Sequence, residues 1–337
     1  MRTDMKMFIT LIAFLVIFGL SSCGIKSASQ KSEKGIAADL DPRITFLCAG
    51  YDEASENTDV LFLASYNTSA KAVSIMQIPR DTYYDFGGTQ NKINQFYATG
   101  KAGGMSPKSA MEALKALVSE ALSVKIDGYV GITLDVFSEI VDKIGGVEID
   151  AERDISFTDE NGENEIVLKK GKNLLDGRAA EQFVRYRSGY ATGDLGRTDA
   201  QKMFLSAFAR TVFSRMDPAG VINILRAVDG RVVTDIGLAE AAGYYLKYGQ
   251  ALKSASYSYM NLPGQACRRE NGLWYYVANR RGSNEVCSTY FGADANSFDK
   301  AEKMYIPGEA AFENIYYDEN LIYRVYSGDD VGKINIS

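Results

Sequence analysis

Three short apolar runs near the start of the chain constrain its fold more than any other feature. They are residues 43–49 (RITFLCA), 60–66 (VLFLASY) and 73–78 (VSIMQI), rich in β-branched and aromatic side chains and separated by short polar loops. Runs of that length and composition read as strands. The period then changes. Residues 107–122 carry apolar side chains at 111, 114, 117, 118 and 121, the spacing of one buried helical face, with Ser106 placed as N-cap and Pro107 at the first helical position. Residues 128–134 read as a strand, 135–143 as a helix ended by Gly145-Gly146, 147–150 as a short strand and 161–171 as a hairpin-like excursion. Helices are predicted over 176–182, about 198–214, 221–227 and 238–248, the last capped by Thr234 or Asp235, and a late strand over 256–262. Strands alternating with helices imply an α/β protein, a three-layer α/β/α sandwich around a mixed central sheet. The Tyr-rich remainder reads as peripheral strand and loop.

The N-terminus is of another kind. Arg2 and Lys6 precede an apolar run over residues 7–20, short for a membrane span and suited to a signal-peptide core. It ends in Leu20-Ser21-Ser22-Cys23. Small residues running into a cysteine resemble a lipobox, so residues 1–22 read as a lipoprotein signal peptide and Cys23 as the acylated residue. An ordinary signal peptide or a short anchor helix is the plainer alternative. Residues 23–41, rich in Ser, Lys and Ala, read as a flexible tether. The expected location is the outer face of a bacterial cytoplasmic membrane. The remaining cysteines suit an exported chain. Cys48 sits inside an apolar strand as a small hydrophobe, and Cys267 and Cys287 flank a polar excursion and could pair.

Composition narrows the chemistry. The net charge of −6 argues against nucleic acid as a partner. The chain contains no histidine, which removes His-based triads, imidazole bases and His-ligated zinc. Acid–base work falls to carboxylates, Lys, Tyr or Cys, and a metal would be a hard cation held by oxygens.

Residues 183–201 (FVRYRSGYATGDLGRTDAQ) hold the densest set of candidate site residues. Residues 183–187 read as a strand, which projects Arg185 and Arg187 to the same side. Gly189, Gly193 and Gly196 break the chain into a loop. Arg197 and Gln201 then lie one helical turn apart at a helix mouth, where free N–H groups and the dipole favour an anion. Guanidinium forks match phosphate oxygens in pairs. A solvated RxR face paired with nearby carboxylates is the bland alternative, and the addition of Asp194, Arg197 and Gln201 favours an anion site for a phosphate or pyrophosphate. Elsewhere, Pro79 ends the third strand and leaves Arg80 and Asp81 at its carboxyl end, the edge where α/β sheets bind ligands. Lys92 and Asn94 follow a Gly-rich turn and add polar contacts. Asp52 and Asp59 bracket the first loop, where they either hold Mg²⁺ or cap turns.

In order, GYD (50–52), TDV (58–60), IPRDT (78–82), KIN (92–94), DKIGGVEID (142–150) and VRYRSGYATGDLGRTDAQ (184–201) together resemble the LytR-CpsA-Psr family of cell-wall glycopolymer transferases. The resemblance spans about residues 43–262, and the ordered set is far more specific than any one segment. It implies a catalytic domain over 42–264 with a C-terminal extension, 265–337, packed on it. It further implies an extracytoplasmic phosphotransferase that moves a teichoic-acid- or capsule-like polymer from a polyprenyl-pyrophosphate carrier to a peptidoglycan sugar hydroxyl. By the same resemblance Arg80, Arg185, Arg187 and Gln201 bind the pyrophosphate, with Arg197 joining them or orienting the loop. Asp52 and Asp59 hold Mg²⁺ (or Mn²⁺), Asp194 positions arginines or acceptor, and Asp81 is structural. Arg80, Arg187 and Asp194 are the implied catalytic residues, and apolar helix faces would line a tunnel for the lipid tail. Two positions depart from the family pattern. A basic residue and then Ser or Thr are usual around the second aspartate, where this chain has Asn57-Thr58-Asp59-Val60, and a basic residue usually precedes the glutamine, where it has Ala200. These departures keep two other functions open: a non-catalytic polyprenyl-phosphate-binding lipoprotein, and a pyrophosphate hydrolase.

Overall fold

The computed structural model describes residues 42–51, 55–88, 91–151, 154–158, 164–185, 194–215, 217–270, 272–306 and 308–331. The expected leader, the tether and Cys23 lie outside them, as do Asp52 and Arg187. The three apolar runs form β1 (Arg43–Tyr51), β2 (Thr58–Asn67) and β3 (Ala72–Gln77). They are followed by α1 (Phe96–Ala102), α2 (Pro107–Leu122), β4 (Gly128–Ile132), α3 (Leu134–Lys143), β5 (Val147–Ala151), β6 (Ile155–Thr158), β7 (Asn164–Leu168) and β8 (Gly171–Leu175). Then come α4 (Gly177–Arg185), α5 (Asp194–Arg215), α6 (Pro218–Val228), β9 (Val233–Thr234), α7 (Leu238–Lys253) and β10 (Ser256–Asn261). The chain closes with β11 (Gly264–Arg268), β12 (Trp274–Ala278), α8 (Arg280–Phe291), α9 (Ala310–Tyr317) and β13 (Val325–Ser327).

Among the described residues the central sheet has seven strands in the order β13-β10-β3-β2-β1-β4-β9. It is mixed: β1 runs parallel to β4 and β3 parallel to β10, while β1–β2, β2–β3, β4–β9 and β10–β13 are antiparallel. Alternation along each strand sends side chains to two separate cores. Phe46, Cys48, Val60, Phe62, Ala64, Tyr66, Val73 and Ile75 join the core built with α3 to α7. Leu47, Ala49, Leu61, Leu63 and Met76 join the core built with α2, β12, α8 and α9. Two helical layers on one mixed sheet make the expected α/β/α sandwich. Of the last seventy residues, β13 extends the central sheet and Val277, Val286, Phe298 and Tyr316 are core, while β11 and β12 pair in a separate two-stranded sheet.

Several local expectations are corrected. Residues 183–185 are the end of helix α4, not a strand. Asp176 Oδ1 accepts the Ala179 N–H at the helix start (2.8 Å), and the buried Ala180, Phe183 and Val184 fall at helical spacing. That continuous apolar face overrides the β preference of Phe-Val. Gly177 lets this helix start against α3: a Cβ there would sit 2.2 Å from the Ser138 carbonyl oxygen. Neither Thr234 nor Asp235 caps α7, whose N-cap is Gly237. Instead Thr234 Oγ1 donates to the Tyr129 carbonyl, and Asp235 accepts from Tyr129 N–H and Lys115 Nζ, clamping β4 to α2. The remainder after 262 contains helices rather than only strand and loop. In α8 the buried face is Gly282, Ser283, Val286, Cys287 and Phe291, too small and polar to show as an apolar stripe. Its start was nonetheless written in the sequence, because Asn279 caps it by accepting the Gly282 N–H. Cys267 and Cys287 are free thiols, and burial pushes that of Cys287 up to about 12. Cys48 is a fully buried small hydrophobe as expected.

Candidate active site

The site grows from the carboxyl end of β3. Pro79 stops the strand and the chain turns through Arg80, Asp81 and Thr82. A closed ring of contacts holds Arg80 there. Its carbonyl accepts the Asn94 backbone N–H (3.3 Å). The Asn94 side-chain amide donates to Asp59 Oδ1 (3.2 Å), and Asp59 Oδ2 lies 3.4 Å from the Arg80 guanidinium. The Asp59 side chain is 1% exposed and that of Arg80 14%. A carboxylate taken out of water needs a cation or donors to compensate it, and here it has both. The ring therefore fixes a guanidinium at the sheet edge with a small part of it open to solvent.

Asp81 behaves as a tie. Its Oδ1 accepts from Lys92 Nζ (2.8 Å) and its carbonyl accepts the Tyr276 N–H (2.8 Å). Lys92 also lies over the Tyr275 ring, 5.4 Å from its centroid, with Arg269 over the same ring at 5.7 Å. Tyr83 N–H completes the pairing by donating to the Tyr276 carbonyl. The β12 strand thus backs the turn that carries Arg80. Sequence reasoning did not single out Tyr275 and Tyr276, and nothing local marks them, because the pairing is made across nearly two hundred residues.

The other helical layer approaches the same edge. Gln77 faces the side of Val73 and Ile75 by strand alternation, and its Nε2 donates to Gln201 Oε1 (3.1 Å). Gln201 Nε2 in turn donates to the Val184 carbonyl (2.9 Å). Gln201 is 1% exposed, so its amide bridges β3, α5 and the C-terminal turn of α4. Arg185 follows Val184 at the C-terminal end of α4. The Arg185 guanidinium pairs with Glu181 at 3.3 Å and is half-buried. Arg197 is buried one turn before Gln201. Asp194 opens α5. Gln77 joins this set without having been singled out from the sequence, and its signal is a polar residue at the end of a largely apolar strand.

Beside Gln201, Lys202 is buried and donates to Asn261 (3.1 Å) while pairing with Asp199 (2.8 Å). Asn261 also donates to Thr198 Oγ1 (3.3 Å). Burial pulls the Lys202 ammonium below its ordinary value, and Asp199 pulls against it. This cluster stitches α5 to β10 along the flank of the site.

For a hard cation the described residues offer oxygen donors: the Asp59 carboxylate and, beside it, Asn94 Oδ1, which is buried without a hydrogen-bond partner among the described residues. No group of three His, Cys, Asp or Glu side chains occurs among the described residues. No helix there is long and apolar enough to cross a membrane.

The chain matches the model of the LytR_cpsA_psr family over residues 20–290. It is 27% identical over 256 residues to the polyisoprenyl-teichoic acid–peptidoglycan teichoic acid transferase TagU of Oceanobacillus iheyensis, covering 74% of this chain and 75% of that one. In fold it is similar to TagV of B. subtilis, with TM-score 0.61 and 23% identity over 79% of this chain and 99% of that one. It is also similar to TagT bound to LIIa-WTA, with TM-score 0.58 and 22% identity over 77% and 94%.

The bridge makes a prediction. Gln201→Leu strands the Gln77 amide and the Val184 carbonyl in the interior, at about 1–3 kcal/mol for each group. The urea midpoint is expected to fall accordingly, and Gln77→Leu added to Gln201→Leu is expected to recover part of the loss. A Gln201→Leu protein as stable as the parent would contradict the bridge.

Proposed function

Because the chain belongs to the LytR_cpsA_psr family, we propose that it is an extracytoplasmic phosphotransferase. It moves a glycopolymer from a polyprenyl-pyrophosphate carrier to a peptidoglycan sugar hydroxyl. The observation that carries this reading is the Arg80 guanidinium held at the sheet edge by the buried Asp59 carboxylate and Asn94. Phosphoryl transfer asks for positioning and charge neutralisation more than for a reactive side chain. A site without histidine, built of arginines and hard oxygen donors, supports that chemistry. Arg80 and Arg185 would take the diphosphate oxygens, together with Arg187, which lies outside the described residues. Arg197 and Gln201 would set the corner's shape from the interior. Lys92 would hold Asp81, and Asp194 would position the arginines or the acceptor.

Mg²⁺ or Mn²⁺ would be held by Asp59 with Asn94 and by Asp52, which lies outside the described residues. Bound there, the ion would neutralise phosphate oxygens. We further place the protein on the outer face of the cytoplasmic membrane, anchored through Cys23. Recovery of the protein from cells in the aqueous rather than the membrane fraction would remove that anchor from the account.

The reaction is tested with detergent-purified protein, Mg²⁺, a polyprenyl-pyrophosphate-linked glycan and a peptidoglycan fragment. The glycan is expected to move to the fragment, EDTA to abolish the transfer, and Mg²⁺ or Mn²⁺ to restore it. Arg80→Ala is expected to slow transfer by on the order of 10²–10³-fold, the range for loss of one preorganised donor. Arg80→Lys is expected to recover little, since a point charge lacks the fork. Phosphate release without acceptor would indicate a hydrolase, and co-purifying lipid that never turns over would indicate a carrier-binding protein. Either result overturns the proposal.

A further inference from the structure

Strand pairing leaves Asp59 in an unusual place. Gly50 faces Val60 across β1 and β2, and Tyr51 faces Thr58, so Asp59 is an extra residue with no partner in β1. Such a bulge re-aims the side chain it carries and interrupts the ladder locally. The stretch 93–102, a 3₁₀ turn at residues 93–95 running into α1, packs over it. Asn94, Tyr97 and Lys101 follow one another along this stretch at intervals of three and four residues, which places them on one helical face. Each meets the chain around the bulge. The Asn94 amide donates to Asp59 Oδ1 (3.2 Å), and its carbonyl accepts from Thr58 Oγ1 (3.3 Å). The buried Tyr97 ring lies 5.1 Å from that of Tyr51, the residue opposite Thr58. Lys101 Nζ pairs with Glu56 Oε1 at 2.8 Å.

The outermost of these contacts invites a functional reading. Glu56 has φ +52°, in the left-handed region that residues other than glycine seldom enter. The Lys101–Glu56 pair is partly exposed, with the two side chains at 23% and 35%, and an ion pair of that kind contributes little to stability. Its effect is geometric. Asn94 and Tyr97 hold the bulge at Thr58, Asp59 and Tyr51, while Lys101 holds the chain three residues before Asp59, where it turns into β2. A carboxylate that serves a cation depends on the groups that orient it, and small displacements of such a ligand are costly.

We propose that Lys101 and Glu56 are positioning residues, whose pairing holds the entry to β2 so that the bulged Asp59 carboxylate is preset for a divalent cation. This rests on the reading that Asp59 holds such a cation. Positioning is distinguishable from attraction of the cation by charge. Lys101 and Glu56 carry opposite charges, so attraction alone makes their removal act in opposite directions, Lys101→Met tightening the cation and Glu56→Ala loosening it. Positioning makes both changes loosen it.

The test is Mn²⁺ binding to the full protein, followed by the electron paramagnetic resonance signal of the free ion, which needs no turnover. The parent is expected to bind. Lys101→Met and Glu56→Ala are each expected to weaken binding on the order of tenfold, the lower end of the range for groups that hold a metal ligand in place. The exchange variant, Glu56→Lys with Lys101→Glu, rebuilds the pair with its polarity reversed and is expected to recover most of the affinity. Melting temperatures close to the parent's are expected for changes at a partly exposed pair, and the exchange variant decides the matter where a single variant folds poorly. Lys101→Met binding Mn²⁺ as tightly as the parent, or more tightly, overturns the positioning role, as does an exchange variant that binds no better than the single ones. A parent that binds no Mn²⁺ removes the cation reading itself, and the positioning role with it.

Discussion

The arrangement depends on one buried carboxylate. Asp59 sits buried at the start of β2, with Asn94 on one side and the Arg80 guanidinium on the other. Removing one partner of such a buried group is costly, on the order of 3–5 kcal/mol, because the other is left without compensation. The same contacts that satisfy Asp59 therefore specify where Arg80 lies. Asn94 takes part twice, through its backbone to the Arg80 carbonyl and through its side chain to Asp59.

Around that ring, both helical layers send polar side chains to one edge of an apolar sheet. From one side come Lys92, Asp81 and the backbone of Tyr276, from the other Gln77, Gln201 and the carbonyl of Val184. Helix α5 can do this because it is buried on nearly every side. Its apolar residues, among them Phe204, Phe208 and Val212, fill one core, while Thr198, Gln201 and Lys202 meet β3, β10 and α4 through hydrogen bonds. A buried polar row of this kind contributes little net stability per contact, yet it rejects wrong registers because each mismatch strands a donor or acceptor. The C-terminal hairpin belongs to the same design, for β12 braces the turn after β3.

Much of this was legible in the sequence, and the failures have physical causes. The three early strands announced themselves as short continuous apolar runs and helix α2 through a period-3.6 stripe, and α2 runs over the residues its cap and proline indicate. Arg80 and Asp81 could be placed at a strand's carboxyl end because Pro79 stops that strand. Residues 183–185 misled because Phe-Val is a strand-like pair, whereas the face they share with Ala180 is helical. Helix α8 was invisible to an apolar-periodicity reading because its buried face includes Gly282 and Ser283. The partnerships of Gln77 with Gln201 and of Asp81 with Tyr276 join distant positions, and no local pattern records them. The pairing suggested by Cys267 and Cys287 is not made: Cys267 in β11 and Cys287, buried on α8, are free thiols.

A crystal structure of the protein grown with a short-chain prenyl pyrophosphate tests the central claim most directly. The account requires the diphosphate oxygens to lie within hydrogen-bond reach of the Arg80 and Arg185 guanidiniums, with the Asp59–Asn94 contact retained behind them. A diphosphate seated elsewhere, with Arg80 still closed on Asp59 and facing no ligand, would contradict it.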